Sequence, residues 1–229
     1  MIDWNQFTKS ELKTFVVDTF RQGGGSRPDV LLLEKDGEQV VLKDHDGMDK
    51  WFALLIGPIL AWREAKAMKR LKSVEGVPTL LAQPDNRSLL MEHIAARQVV
   101  NVDQSEFIAK EYLDNLKNLI EQVHNAGVAH GDLRSPTNAL IDQNGQAALV
   151  DFVASLSRGA SWNIVNRYLF EKMMLIDFSA ITKLKKRIAP ELLDDSDFEA
   201  VSIAGKKGMA FRKLGQWIRI ISRKLLSNK

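Results

Sequence analysis

Residues 129–139 read AHGDLRSPTNA and bring a histidine, a glycine, an aspartate and an asparagine into one short polar stretch. A second aspartate follows in Asp151-Phe152-Val153, just past the apolar run 147–150. Two carboxylates and an amide on loops around a hairpin can hold a divalent cation and orient a hydroxyl nucleophile. Mg²⁺ wants oxygen ligands and takes only one or two carboxylates from protein. Taken singly, Asp132 or Asp151 reads equally well as a turn or cap residue. Upstream, Lys43 closes the apolar run 40–42, and Glu64 stands 21 positions later on a helical pattern. A Lys–Glu pair between a strand and its packed helix can position a phosphate-binding ammonium. Separately, the lysine reads as an edge residue with its head in water, and the glutamate as a partner of Arg63, Lys66 and Lys69 on a solvated helix face. Gly23-Gly24-Gly25-Ser26 lets backbone N–H groups approach a phosphate closely, or forms a flexible turn. The four features in this order point to a site that handles phosphate.

The elements that must carry these residues follow from the pattern of apolar positions. Runs at 30–33 and 40–42 flank Asp36-Gly37 and predict a hairpin. An earlier strand is expected over 12–20, broken at the glycines. Residues 60–71 place Ala61, Ala65, Met68 and Leu71 near one helical face. Runs 77–81 and 88–94 predict another strand pair around Pro84-Asp85-Asn86, and 106–123 a helix stopped at Gly127. Asn144-Gly145 marks a further hairpin between 139–141 and 147–150. From Tyr168 the chain reads as helix up to a break at Pro190.

His130-Gly131-Asp132, Asp151-Phe152-Val153, Lys43 and Glu64 together resemble the signature set of the protein-kinase-like superfamily. The compact bacterial lipopolysaccharide-core kinases and the RIO atypical kinases are its most similar branches. The resemblance covers roughly residues 12–155. It implies an α+β fold of two lobes: an antiparallel-sheet N-lobe over 1–94, and a mostly helical, shortened C-lobe over 95–229. It also implies ATP and Mg²⁺ as cofactors. Asp132 would then accept or orient the proton of the acceptor hydroxyl, and Asn138 and Asp151 would bind the metal. Lys43 would hold the α- and β-phosphates with Glu64 positioning it, and Gly23, Gly24, Gly25 and Ser26 would cover them. Adenine would pair with main chain near Glu92 and Ile94. Arg134 would stabilise the transferred phosphoryl group, or pair with Asp132.

There are departures from the pattern. The metal-binding Asn of this family follows the loop Asp by about five positions; that place is Thr137 here, with Asn138 one later. Val153 stands where a Gly is usual. No Ala-Pro-Glu follows, and 78 residues remain after Asp151. Asp177 resembles the helix Asp that braces the catalytic loop, and reads alternatively as an ordinary helix N-terminal residue. The expected acceptor is a hydroxyl, on a lipopolysaccharide-core sugar or another small or lipid-linked molecule. The alternative is a RIO-type protein kinase acting on serine, with Ser155, Ser157 or Ser161 as its own targets. A third reading is a nucleotide-binding pseudokinase.

Composition bounds these readings. The 229 residues are 45% hydrophobic, enough for a sizeable core, and contain no cysteine, which removes disulfides and thiol chemistry. The longest apolar run, Trp51 to Trp62, contains Gly57-Pro58 and is too short to span a bilayer. A cytoplasmic protein is expected. The net charge is +3, yet the last 30 residues hold eight Lys/Arg and no acid, leaving −5 on the rest. That asymmetry argues against a nucleic-acid binder. Over 211–228, apolar Phe211, Leu214, Ile218, Ile221 and Leu225 alternate with cations at helical spacing. This predicts either a last helix packed on the C-lobe or one lying on the inner membrane surface.

Overall fold

A computed structural model describes residues 2–103 and 107–194. The basic pattern at 211–228 lies outside these residues. Five strands form the first sheet: β1 (Val16–Arg21), β2 (Asp29–Lys35), β3 (Glu38–Asp44), β4 (Leu80–Asp85) and β5 (Ser88–Glu92). They lie antiparallel in the order β1-β2-β3-β5-β4. The β2–β3 hairpin turns at Asp36 and Gly37, both at positive φ, the backbone that matches a two-residue turn to strand twist.

Both faces of this sheet are covered, which explains why its strands read as continuous apolar runs rather than alternating ones. Leu33, Val40, Leu42 and Leu90 pack against Trp4 and Leu12 on one side. Leu32, Val41, Leu89 and Met91 pack on the other against Ala61, Ala65 and Met68 of α3 (Gly57–Arg70). Side chains alternate along a strand, so Lys43 shares the α3 side with Val41. Between β3 and α3 lies the short α2 (Lys50–Leu55).

The region expected as a strand over 12–20 is strand only from Val16. Before it come α1 (Lys9–Leu12) and a 3₁₀ turn, Lys13–Phe15. The cause is a capping box: Thr8 accepts from the Glu11 N–H while the Glu11 carboxylate accepts from Thr8. The strand expected at 77–81 also shifts, to Leu80–Asp85, and takes in Pro84. β4 is an edge strand with an irregular register there, where a missing N–H is tolerated.

The second lobe opens with β6 (Ala96–Gln98), followed by α4 (Ala109–Asn125), β7 (Val128–Ala129), β8 (Ala139–Asp142), β9 (Ala147–Leu149), β10 (Leu156–Ser157) and α5 (Ile164–Ile188). β6, β8 and β9 form one small sheet, and β7 and β10 another. Tyr112, Leu116, Ile120 and Val123 of α4 meet Ala180, Leu184 and Ile188 of α5 in the main core, with Ile141, Leu149 and Phe152 between. Helix α5 begins one turn earlier than expected and ends before Pro190, which cannot continue it.

Leu42→Ala tests the covered sheet. Its side chain is wholly buried, so the change is expected to cost about 2–5 kcal/mol, read as a lowered urea midpoint.

Candidate active site

The parity of β3 and the 3.6-residue period of α3 bring Lys43 and Glu64 together. The Lys43 Nζ lies 2.9 Å from Glu64 Oε1 and 2.7 Å from Asp151 Oδ1. Lys43 and Glu64 are buried; Asp151 is partly open. The solvated-face reading of Glu64 therefore does not hold. Burial opposes charge on Lys43 most strongly, but the pull of Glu64 and then Asp151 outweighs it and holds the ammonium above its usual pKa. Burial would likewise raise Asp151, yet the Lys43 charge and hydrogen bond bring it below the usual carboxylate range.

Asp151 adopts a left-handed backbone, φ 67 and ψ 68, at the head of a 3₁₀ turn over Phe152–Ala154. Asp tolerates this region better than most residues, and the turn aims its carboxylate back at Lys43. The same turn is held by Arg63, whose guanidinium donates to the carbonyls of Ala154 and Ser155.

The stretch 129–139 hangs from Asp177. Its fully buried carboxylate accepts from the His130 N–H at 2.7 Å, the Gly131 N–H at 2.8 Å and His124 Nε2 at 3.0 Å. Asp177 sits in the second half of α5, so it is a brace and not a helix N-terminal residue. Gly131 has φ 81, and a Cβ there would meet Ala154 O at 2.8 Å. Only glycine fits between His130 and Asp132. His130 donates from Nε2 to the Val150 carbonyl, and its Nδ1 accepts from the Asp132 N–H. It packs 4.6 Å from the Phe152 ring, and burial, the largest influence on it, lowers its pKa.

Two successive tight turns settle where the late asparagine goes. The Ser135 N–H donates to the Asp132 carbonyl, and the Asn138 N–H to the Ser135 carbonyl. Six residues thus return Asn138 beneath Asp132, and its Nδ2 donates to the Asp132 carbonyl at 3.0 Å. Asn138 is buried, and its Oδ1 accepts from the Thr137 hydroxyl at 3.2 Å. Asp132 is exposed. Its carboxyl is nevertheless partly shielded from water; that shielding and the like charge of Asp151 raise its pKa, while His130 and Arg134 pull it down.

A cleft of about 520 Å³ joins these groups. Lys43, Glu64, Asp151, Asn138 and Thr137 line its polar end, and Val30, Val41, Met91, Leu140 and Val150 give it apolar walls. Glu92 and Ile94 line it too, on the connector between the lobes. Asp132 and Arg134 are exposed and do not line it; Asp132 is joined to it through Asn138. A larger cavity of about 890 Å³ shares Glu92, His93 and Ile94 but not Lys43, Glu64, Asn138 or Asp151.

The glycine turn departs from expectation. Gly23, Gly24, Gly25 and Ser26 lie between β1 and β2 but not on the cleft wall. The Gly23 N–H donates to the Asp29 carboxylate, the Gly24 N–H to the Arg27 carbonyl and the Gly25 N–H to the Asp49 carboxylate. Two of these three donors thus go to protein carboxylates and the third to a backbone carbonyl. Asp29, Asp49, Arg63 and His124 carry no signal in the chain that distinguishes them from surface residues; their roles arise from tertiary contact.

The fold and this site define a protein-kinase-like protein of the RIO type. The structure superimposes on that of the Rio2 kinase–ADP/Mg²⁺–phosphoaspartate complex from Chaetomium thermophilum with a TM-score of 0.59. Sequence identity there is 18%, over 93% of this chain and 73% of that one. Residues 45–161, more than half of the chain, match the RIO domain, and the chain belongs to that family. A serine/threonine-protein kinase WARTS homolog of Caenorhabditis elegans is 44% identical over 63 residues, 28% of this chain and 7% of that protein. CBL-interacting serine/threonine-protein kinase 15 of Arabidopsis thaliana is 28% identical over 125 residues, 52% of this chain and 29% of that protein. The chain therefore spans under a third of either of these two relatives.

Asp177→Ala strands the backbone N–H groups of His130 and Gly131 as well as His124. It is expected to lower stability by about 2–5 kcal/mol in chemical denaturation, and amide exchange should accelerate at His130 and Gly131.

Proposed function

We propose that the chain is an ATP- and Mg²⁺-dependent kinase of RIO type that transfers the γ-phosphoryl group to a serine or threonine hydroxyl of a protein. The observation that carries this is the buried Lys43 ammonium, held between Glu64 and Asp151 at the polar end of an open cleft. Packing alone does not call for a buried cation there, because a buried ion pair is a costly way to join two elements. A phosphate entering the cleft would find that cation already in place.

The cleft fits the nucleotide by its chemistry. Val30 and Val41 above, Leu140 below and the connector at Glu92–Ile94 suit a flat base with hydrogen-bonding edges. The oxygens of Asn138 and Asp151 are hard ligands of the type Mg²⁺ takes, and the ion bound there would neutralise charge between the phosphates. Asn138 fills the metal-ligand place better than Thr137, because it is buried and its amide nitrogen is already tied to Asp132. Asp132, exposed beside it, orients the acceptor hydroxyl and takes its proton. Arg134 supplies positive charge beside that carboxylate.

The RIO family match supports a protein hydroxyl as acceptor. Among the three serines near the Asp-Phe motif, Ser155 is buried and Ser161 is exposed, so Ser161 is the better self-target. A lipopolysaccharide-core sugar is the second reading, favoured by the basic amphipathic pattern at 211–228, which suits the inner surface of an anionic membrane. Labelled ATP offered with protein mixtures and, separately, with core oligosaccharide separates the two.

Asp132→Ala should cut transfer by about 10²–10⁴-fold while ATP affinity in calorimetry changes little. ATP binding by the parent protein with no phosphoryl transfer to any acceptor would instead mark a nucleotide-binding pseudokinase. The base must be ionised to act, so the rate should fall as pH drops through the Asp132 pKa, which burial raises above the ordinary 3.8. Asp132→Asn should remove that acidic limb from the residual rate; a limb that persists assigns it to another group.

A further inference from the structure

The twelve residues from Trp51 to Trp62 carry no charge, and phosphate chemistry has no use for them. In the structure they form α2 and the start of α3, with a break only at Ile56. One side, Ala53, Gly57, Ala61, Ala65 and Met68, is buried. The opposite side is apolar too: Trp51, Leu54, Leu55, Ile59 and Trp62 are each between 52% and 63% exposed. Trp51 and Leu55 share one outward face of α2, and Ile59 and Trp62 one outward face of α3, at helical spacing within each. A helix apolar all round is normally covered, and a contiguous exposed stripe of this kind marks an interaction surface.

Charge says what covers it. From Lys50 to Arg70 the exposed ionic side chains are Lys50, Lys66, Lys69 and Arg70. The one acid in that span, Glu64, is buried against Lys43. Asp49, just before, is tied to Gly25. The Lys66 ammonium lies 4.9 Å over the Trp62 ring, at the border between the apolar stripe and the cations. A second copy of this face would set cation against cation. So would residues 200–229, whose charges are all positive. An anionic occupant remains. Tryptophan and leucine beside lysine on an exposed helix face is the composition of a helix lying in a bilayer interface, where indoles sit among headgroups and ammonium groups meet lipid phosphate.

We propose that the outer face of α2–α3 docks on an anionic lipid surface, with Trp51, Leu55, Ile59 and Trp62 inserted and Lys50, Lys66 and Lys69 against headgroups. The contact stands apart from phosphotransfer and from residues 211–228. The test uses the full chain and vesicles of phosphatidylcholine alone, or mixed 3:1 with phosphatidylglycerol. The protein should float with the anionic vesicles and not with the neutral ones. Trp51→Ser/Leu55→Ser/Trp62→Ser should reduce binding by about tenfold or more while the basic tail is unchanged. Brominated lipid should quench the tryptophan fluorescence of the parent protein, and Trp51→Phe/Trp62→Phe, which keeps the apolar area, should remove most of that quenching. Several results would overturn the proposal: equal binding to both vesicle types, no binding at all, quenching unchanged by the phenylalanines, or capture of an acidic protein without vesicle binding.

Discussion

Three segments far apart in the chain meet at one ammonium group. Lys43 comes from a sheet strand, Glu64 from the helix packed on that strand, and Asp151 from a turn of the second lobe. Taking a lysine out of water costs several kcal/mol unless carboxylates surround it. The folded chain therefore has one strongly preferred arrangement of these elements. If α3 rotates, Glu64 leaves and the ammonium is stranded; if the turn after β9 moves, Asp151 leaves. The same pairing that constrains the lobes keeps a positive charge at the end of the cleft.

The second lobe solves a different problem. A catalytic loop needs backbone in unusual conformations, and its N–H groups then have no secondary-structure partners. Asp177 accepts two of them from the middle of a rigid helix, and His124 of α4 bonds to the same carboxylate. Loop geometry is thereby referred to the α4–α5 core rather than to solvent. His130 completes the arrangement by bonding the Val150 carbonyl next to Asp151, which ties the two carboxylate-bearing loops together.

Much of this could be read in the chain. The hairpin at Asp36-Gly37, the helix face Ala61/Ala65/Met68, the stop at Gly127 and the break at Pro190 each rest on a local rule, and each is where the rule puts it. The misplacements are also local. A capping box at Thr8–Glu11 converted the start of an expected strand into helix, and an edge position let Pro84 remain in β4. What the glycine turn can hold depends on something non-local. Glycines permit a phosphate cradle, but whether their N–H groups stay open depends on which carboxylates approach. Here Asp29 and Asp49 do.

The sequence by itself determined the kinds of groups available: a lysine closing an apolar strand, a glutamate on an apolar helix, a His-Gly-Asp stretch and a second aspartate after a strand. Spacing of two along strands and of three to four along helices was enough to place each on its element, because those periods belong to the backbone. Tertiary structure alone decided the pairings. It chose buried pairing over solvation for Glu64, a brace over a cap for Asp177, and Asn138 over Thr137 beneath Asp132. It also left the Trp51–Trp62 run half outside. These choices depend on burial and on which element packs against which, and a linear chain carries neither until its sheets and helices close on one another.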